Sequence, residues 1–224
     1  MQIILIRHAE TEWNRQGIIQ GWRDSPVTKK GRKETESLIA GLTSLGIRIE
    51  RVFSSPQGRA LAMASAIARN FGCTLVLQDE LKEQHFGQFE GQYLNTVRRE
   101  YPDAAASLFE NDADYVPHQG ESLAQAANRL IGFIQKLPLI CACETICLVS
   151  HSHVIQAAIS LLKECSLRDF PRFYHLNASY SILEMDEADK EQIHVVKWGI
   201  ASHLLKIDCH PKTNNAGGKG ILGG

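Results

Sequence analysis

The sequence predicts an α/β protein, a three-layer α/β/α sandwich with a mainly parallel central sheet. Two features predict it. Short β-branched runs recur along the chain as continuous apolar stretches rather than alternating ones, as strands buried on both faces do. Between them lie longer segments whose apolar residues repeat at helical spacing. Strands and helices that alternate in this way build a parallel sheet covered on both sides.

Taken in order, residues 2–6 form the first predicted strand, ended by Arg7 and His8. A polar, Gly-containing loop spans 8–26. Thr28 then has the character of an N-cap, and Leu38, Ile39, Leu42 and Leu45 form the stripe of a helix stopped by Gly46. Residues 51–54 read as the second strand, and Ser55-Pro56 as the start of a helix buried through Ala60, Met63, Ala64, Ile67 and Phe71. A third strand follows at 75–77. The middle of the chain, 79–120, is polar and irregular, with helices expected near 93–101 and 104–110. An amphipathic helix spans 121–137, a buried strand 145–150, and a further helix runs through Val154, Ile155, Ala158, Ile159 and Leu162. Late strands are expected at 179–184 and 194–197, antiparallel at an edge. The chain thus reads as a single domain over 1–210, followed by a flexible Gly-rich tail at 211–224.

The net charge of −1 argues against non-specific nucleic-acid binding, which needs a basic face. No run is long enough for a membrane span, and the apolar stretch before Arg7 is too short for a signal peptide, so a cytoplasmic location is expected. The six cysteines fit no zinc spacing, and Cys147 sits within an apolar run. They read as reduced thiols packed as small hydrophobes.

In open parallel sheets ligands bind at the carboxyl ends of the strands, and unusual polar groups collect there. Arg7 and His8 end the first strand, and His151 ends the strand at 145–150. Arg59 lies in the first turns of the helix after the second strand, and Glu83 follows the third. Two imidazoles, two guanidiniums and a carboxylate suit a phosphoryl group. Arg matches phosphate oxygens with a rigid fork, and a neutral imidazole held by its other nitrogen can attack phosphorus. Thr11, Asn14 and the N-terminus of the helix after His151 could bond the remaining oxygens. Glu83 is the expected proton donor to the leaving oxygen, with Glu80 and Glu90 as rivals.

Arg7-His8-Ala9-Glu10-Thr11-Glu12-Trp13-Asn14 resembles the Arg-His-Gly-Glu-Thr/Ser-x-x-Asn signature of the histidine phosphatase superfamily, the phosphoglycerate mutase-like proteins. Gly21-Trp22-Arg23-Asp24-Ser25-Pro26-Val27-Thr28, Ser54-Ser55-Pro56-Gln57-Gly58-Arg59-Ala60, Leu81-Lys82-Glu83, Phe86-Gly87-Gln88-Phe89-Glu90-Gly91, Gly120-Glu121-Ser122 and Val149-Ser150-His151 resemble its further motifs, in the same order. The resemblance implies a phosphohistidine on His8, with Arg7, Arg59 and His151 around it and Glu83 as the acid. It also implies ligand contacts at Gln20 and Gly21, a substrate-selecting lid at about 84–120, and no metal or other cofactor. The expected partner is a small phosphorylated metabolite. Ala9, Ser152 and Met63 depart from the pattern without removing a catalytic group, and Ser152 still offers a backbone N–H to the ligand.

Three rivals remain. A cofactor-dependent mutase shares this core but carries a longer basic segment between the acid and the second His; here Arg98-Arg99 is the one basic pair in that segment. A non-catalytic binding module would lack the His, an Arg or the acid. A metal hydrolase would use His151 and His153, but a helix starting after Ser150 spoils that geometry.

Overall fold

A computed structural model describes residues 1–186 and 192–206. Strands β1 (Gln2–Arg7), β2 (Arg51–Ser54), β3 (Thr74–Leu77), β4 (Thr145–Ser150), β5 (Tyr180–Met185) and β6 (Ile193–Ile200) form one sheet in the order β3-β2-β4-β1-β5-β6. The first four in that order are parallel neighbours, and β5 and β6 are antiparallel at the far edge. Arg7 pairs with Ser150, and Ser54 with Val149, so β1, β2 and β4 end level with one another.

The pleat divides the sheet's side chains between two cores. Ile3, Leu5, Ile146 and Leu148 pack on Leu130, Ile134 and Ile155 from α6 (Leu123–Ile140) and α7 (Ser152–Leu162). Ile4, Ile6, Cys147 and Val149 pack on Leu38, Leu42, Met63 and Ile67 from α2 (Lys29–Ser44) and α3 (Gly58–Phe71). Continuous apolar strands thus result from covering both faces. No helix among the described residues is long and apolar enough to cross a membrane.

Local signals place most boundaries. Thr28 caps α2 by accepting from the Gly31 amide, and Gly72 closes α3 in a left-handed conformation. The expectation for the start of α3 needs correcting. Pro56 lies outside the helix, the N-cap is Gln57 with no side-chain bond, and Asp24 from a distant loop bonds the Gly58 and Arg59 amides instead. The loop at 8–26 contains a short helix, α1 (Glu12–Gln16), that five residues without an apolar stripe did not reveal. Thr11 and Asn14 form a capping box at its start.

The middle segment holds α4 (Leu94–Glu100), α5 (Pro102–Ala106) and a wide π-type turn at Ser107–Asn111. It has a small core of its own, in which Phe86, Phe89, Val97, Ala105 and Leu108 pack with Ile19. The ends of the segment meet at Gly87, whose positive φ and close approach to the His118 carbonyl leave no room for a Cβ. The tail expected at 211–224 lies outside the described residues.

Candidate active site

A cavity of about 450 Å³ opens at the level ends of β1, β2 and β4, as an open parallel sheet requires. His8 follows β1 directly and is buried. Its Nδ1 lies 2.8 Å from the carbonyl of Ala9. A carbonyl only accepts, so Nδ1 carries the proton and Nε2 keeps its lone pair. Burial, together with the Arg59 and Arg7 guanidiniums, pushes the His8 pKa well below the ordinary imidazole value. The ring is therefore a neutral base whose unprotonated nitrogen is Nε2.

Arg59, from the first turn of α3, is almost wholly enclosed. Its Nε donates to His8 Nε2 at 3.3 Å, its Nη1 to the Arg23 carbonyl at 2.7 Å and Asp24 Oδ1 at 3.0 Å, and its Nη2 to the Gly21 carbonyl at 2.7 Å. The guanidinium thus also fastens the 21–24 loop to α3. Gly21 is held at positive φ against the Glu90 carboxylate, where a Cβ would collide. Arg7 donates from Nη1 to the carbonyl of His175.

Asn14 and Gln20 line the cavity with their amides oriented by the loop. Asn14 Oδ1 accepts from the Thr11 amide at 3.1 Å and from Asn177 Nδ2 at 3.2 Å, which leaves the Asn14 NH2 as the end available to a ligand. Gln20 Oε1 accepts from the Thr11 and Ser25 hydroxyls at 3.1 Å each, which frees its NH2 in the same way. Thr11 itself is fully buried and stands behind the wall. Its hydroxyl caps α1 and orients the Asn14 and Gln20 amides, and it is not among the residues that line the cavity.

His151 lies behind His8, its ring centroid 5.1 Å away, and is also outside the cavity lining. Neither of its ring nitrogens has a partner among the described residues. Burial, with Arg59 and His8 next in weight, holds its pKa well below the ordinary value. His153 points elsewhere, toward Gln84 and a group of phenyl rings. The two imidazoles of the His-x-His spacing therefore do not converge.

Glu83 is buried on the opposite wall. Its Oε1 accepts from the Gln84 and Val154 amides at 3.0 and 3.1 Å, and its Oε2 from the His153 amide at 3.3 Å. The start of α7 therefore holds Glu83, and of its first three amides only that of Ser152 is not drawn to the carboxylate. The Glu83 carbonyl is tied by Trp22 Nε1 at 2.9 Å and by Arg129 at 3.3 Å. Glu90 is buried too, but it bonds the Trp22, Arg23 and Phe86 amides and does not line the cavity. Glu80 is absent from the lining as well.

Sequence reasoning missed the outer wall, where Leu94, Arg98, Phe109, Phe170, Tyr174 and Gln156 line the cavity. Asp24 lay within a quoted motif, but its bond to Arg59 joins residues 35 apart and had no local signal.

A three-layer α/β protein with a neutral imidazole between two guanidiniums at the carboxyl end of its sheet is built for a phosphoryl-bearing anion. The chain belongs to the histidine phosphatase superfamily, branch 1, whose family model matches residues 3–200. It is similar to phosphoserine phosphatase 1 of Hydrogenobacter thermophilus, at 30% identity over 94% of this chain and 98% of that protein. It is also similar to the probable phosphoglycerate mutase GpmB of Cronobacter sakazakii, at 30% identity over 72% of this chain and 74% of the other. Among solved structures, Bacillus stearothermophilus YhfR superposes with a TM-score of 0.83 at 28% identity, covering 91% of this chain and 98% of that one.

Proposed function

We propose that this chain hydrolyses small phosphomonoesters, with His8 as a nucleophile that is transiently phosphorylated. The observation that carries this reading is the fixed tautomer of His8, a residue of the cavity wall: Nδ1 is bound to the Ala9 carbonyl and Nε2 is unprotonated. In the first step Nε2 attacks phosphorus, the bond from phosphorus to the ester oxygen breaks, and Glu83 gives that oxygen a proton. In the second step water attacks the phosphohistidine, Glu83 takes the water's proton, and the N–P bond breaks to release phosphate. Arg7, Arg59 and the amide groups of Asn14, Gln20 and Ser152 hold the phosphoryl oxygens, with the Gly21 loop behind Arg59. His151 supports His8. The guanidiniums supply the positive charge, so the scheme invokes no metal.

A phosphatase is favoured over a mutase because the segment facing the cavity is short and brings one member of its basic pair there. Arg98 lines the cavity, whereas Arg99 pairs with Glu100 outside it. The ion pair of Arg98 with Glu110 spans 3.8 Å between exposed side chains. Such a pair is weak, so Arg98 is available to a second anionic group on the substrate, such as the carboxylate of phosphoserine or a phosphoglycerate. The segment at 84–120 is then the part that selects substrate. The free thiols Cys73, Cys141, Cys143, Cys147 and Cys165 suit a reducing, cytosolic setting.

The test is a screen of phosphorylated metabolites run with His8→Ala as control. Wild-type enzyme quenched during turnover of a 32P-labelled ester should carry acid-labile label, and folded His8→Ala should show neither label nor turnover. Substantial hydrolysis by folded His8→Ala would sink the mechanism.

A further inference from the structure

The imidazole of His153 takes no part in the reaction above, yet it lines the cavity beside Glu83. Its own backbone amide donates to Glu83 Oε2, so ring and carboxylate occupy one corner. Three phenyl rings enclose it edge-on: Phe86, Phe109 and Phe170, at centroid distances of 5.2, 5.4 and 5.4 Å.

A relay fixes the polarity of this ring. Gln84 Nε2 donates to the Glu121 carbonyl at 3.1 Å, and because a carbonyl only accepts, that bond assigns both ends of the Gln84 amide. Gln84 Oε1 is therefore the atom 3.3 Å from His153 Nδ1, and Nδ1 bears the proton. In a neutral ring Nε2 is then an acceptor. It has no protein partner among the described residues and is not sealed from the cavity. Burial lowers the pKa of the ring, against the nearby Glu83 charge, which favours the neutral form. The cavity thus presents one oriented acceptor, set among phenyl faces, next to the group that protonates the leaving oxygen.

We infer that His153 Nε2 is a specificity subsite that accepts a hydrogen bond from a hydroxyl or protonated amine carried by the leaving alcohol close to the ester oxygen. This rests on the phosphatase reading. A site that offers a buried acceptor discriminates against an analogue without the matching donor, because the acceptor is then left unpaired.

The experiment compares kcat/KM for 2-hydroxyethyl, 2-aminoethyl and ethyl phosphate in wild type and in His153→Phe, which can join the phenyl rings but cannot accept. Wild type should favour at least one donor-bearing ester over ethyl phosphate by about 3- to 10-fold, the worth of one neutral hydrogen bond. The ester favoured identifies the donor as hydroxyl or amine. The preference should fall close to unity in His153→Phe. Equal kcat/KM for all three esters in wild type, or a preference that survives in His153→Phe, overturns the subsite alone. If the folded wild type hydrolyses none of them, nor any metabolite in the screen, the phosphatase reading has failed and takes the subsite with it. Should His153→Phe not fold, Gln84→Met keeps the ring but releases its tautomer and should erode the same preference; an undiminished ratio there counts against the proposal. Nitrogen-15 NMR of the His153 ring supplies an independent readout, with the unprotonated signal expected at Nε2.

Discussion

At the scale of single residues, the proposed mechanism separates groups that act on the phosphoryl from the group that acts on the leaving oxygen, and kinetics can read that separation. In that mechanism Arg59 addresses the phosphoryl common to all substrates. Arg59→Lys keeps the charge but loses the fork, and loss of one such transition-state contact costs about 2.7–4 kcal/mol, roughly 100- to 1000-fold in rate. Because Arg59 also holds the carbonyls of Gly21 and Arg23, this variant should melt earlier as well. Glu83→Gln should instead damage hydrolysis of an alkyl phosphate far more than that of p-nitrophenyl phosphate, whose phenolate leaves without a proton. Glu90→Gln should weaken the fold around Trp22 and Phe86 and show no leaving-group dependence. Measured kcat/KM for both substrates across the three variants decides the matter, and equal losses on both for Glu83→Gln would show the acid to be misassigned.

At the scale of elements, the segment at 84–120 is closed at its base by a contact between its two ends. The Gln88 amide donates to the His118 carbonyl at 3.0 Å, and Gly87 sits against that same carbonyl at positive φ. Gly87→Ala must move this junction, and a forced left-handed residue alone costs about 1–3 kcal/mol. Thermal unfolding should show the loss, and an unchanged melting temperature would mean the ends of the segment are free to part. The elements also show what the sequence could and could not reveal. Strand β2 and the caps at Thr28 and Gly72 were legible because each depends on a few adjacent residues. The positions of His8 and Arg59 at the cavity were legible because one follows a strand directly and the other opens the helix behind one, and that of Glu83 because it lies in the loop after the third strand. The cap that Asp24 gives to α3, the amides of α7 spent on Glu83, and the Gln84–His153 relay were not, since each joins segments that are near only in the folded chain. The outer wall was hidden for a related reason: Phe109 and Phe170 carry no local mark that separates a cavity lining from a core.

At the scale of the whole molecule, the chain buries several imidazoles that must stay neutral. Burial lowers the pKa of His8, His151 and His153, and that of His175 to about 4. His175 sits between the Phe173 carbonyl and the Ser181 hydroxyl while its own carbonyl holds Arg7. A base whose pKa is depressed by folding binds its proton more readily when unfolded. Its stabilisation is therefore present above the unfolded value of 6.5 and is lost as pH falls from there toward the folded value. For His175 alone the loss on going from pH 6.5 to about 4 is about 3 kcal/mol. Chemical denaturation followed from pH 7.5 down to 4.5 should show a steep decline below 6.5 that His175→Asn, itself less stable at neutral pH, reduces. A flat profile would mean that these rings are hydrated in solution.

The way Glu83 is held bears on any attempt to redesign this scaffold. Its two oxygens brace the amides of Gln84, His153 and Val154. Moving this carboxylate to an adjacent position, as an engineer might to admit bulkier alcohols, would unseat the start of α7. New selectivity is better sought across the cavity, at Leu94, Arg98 and Phe109, whose side chains form no part of that brace.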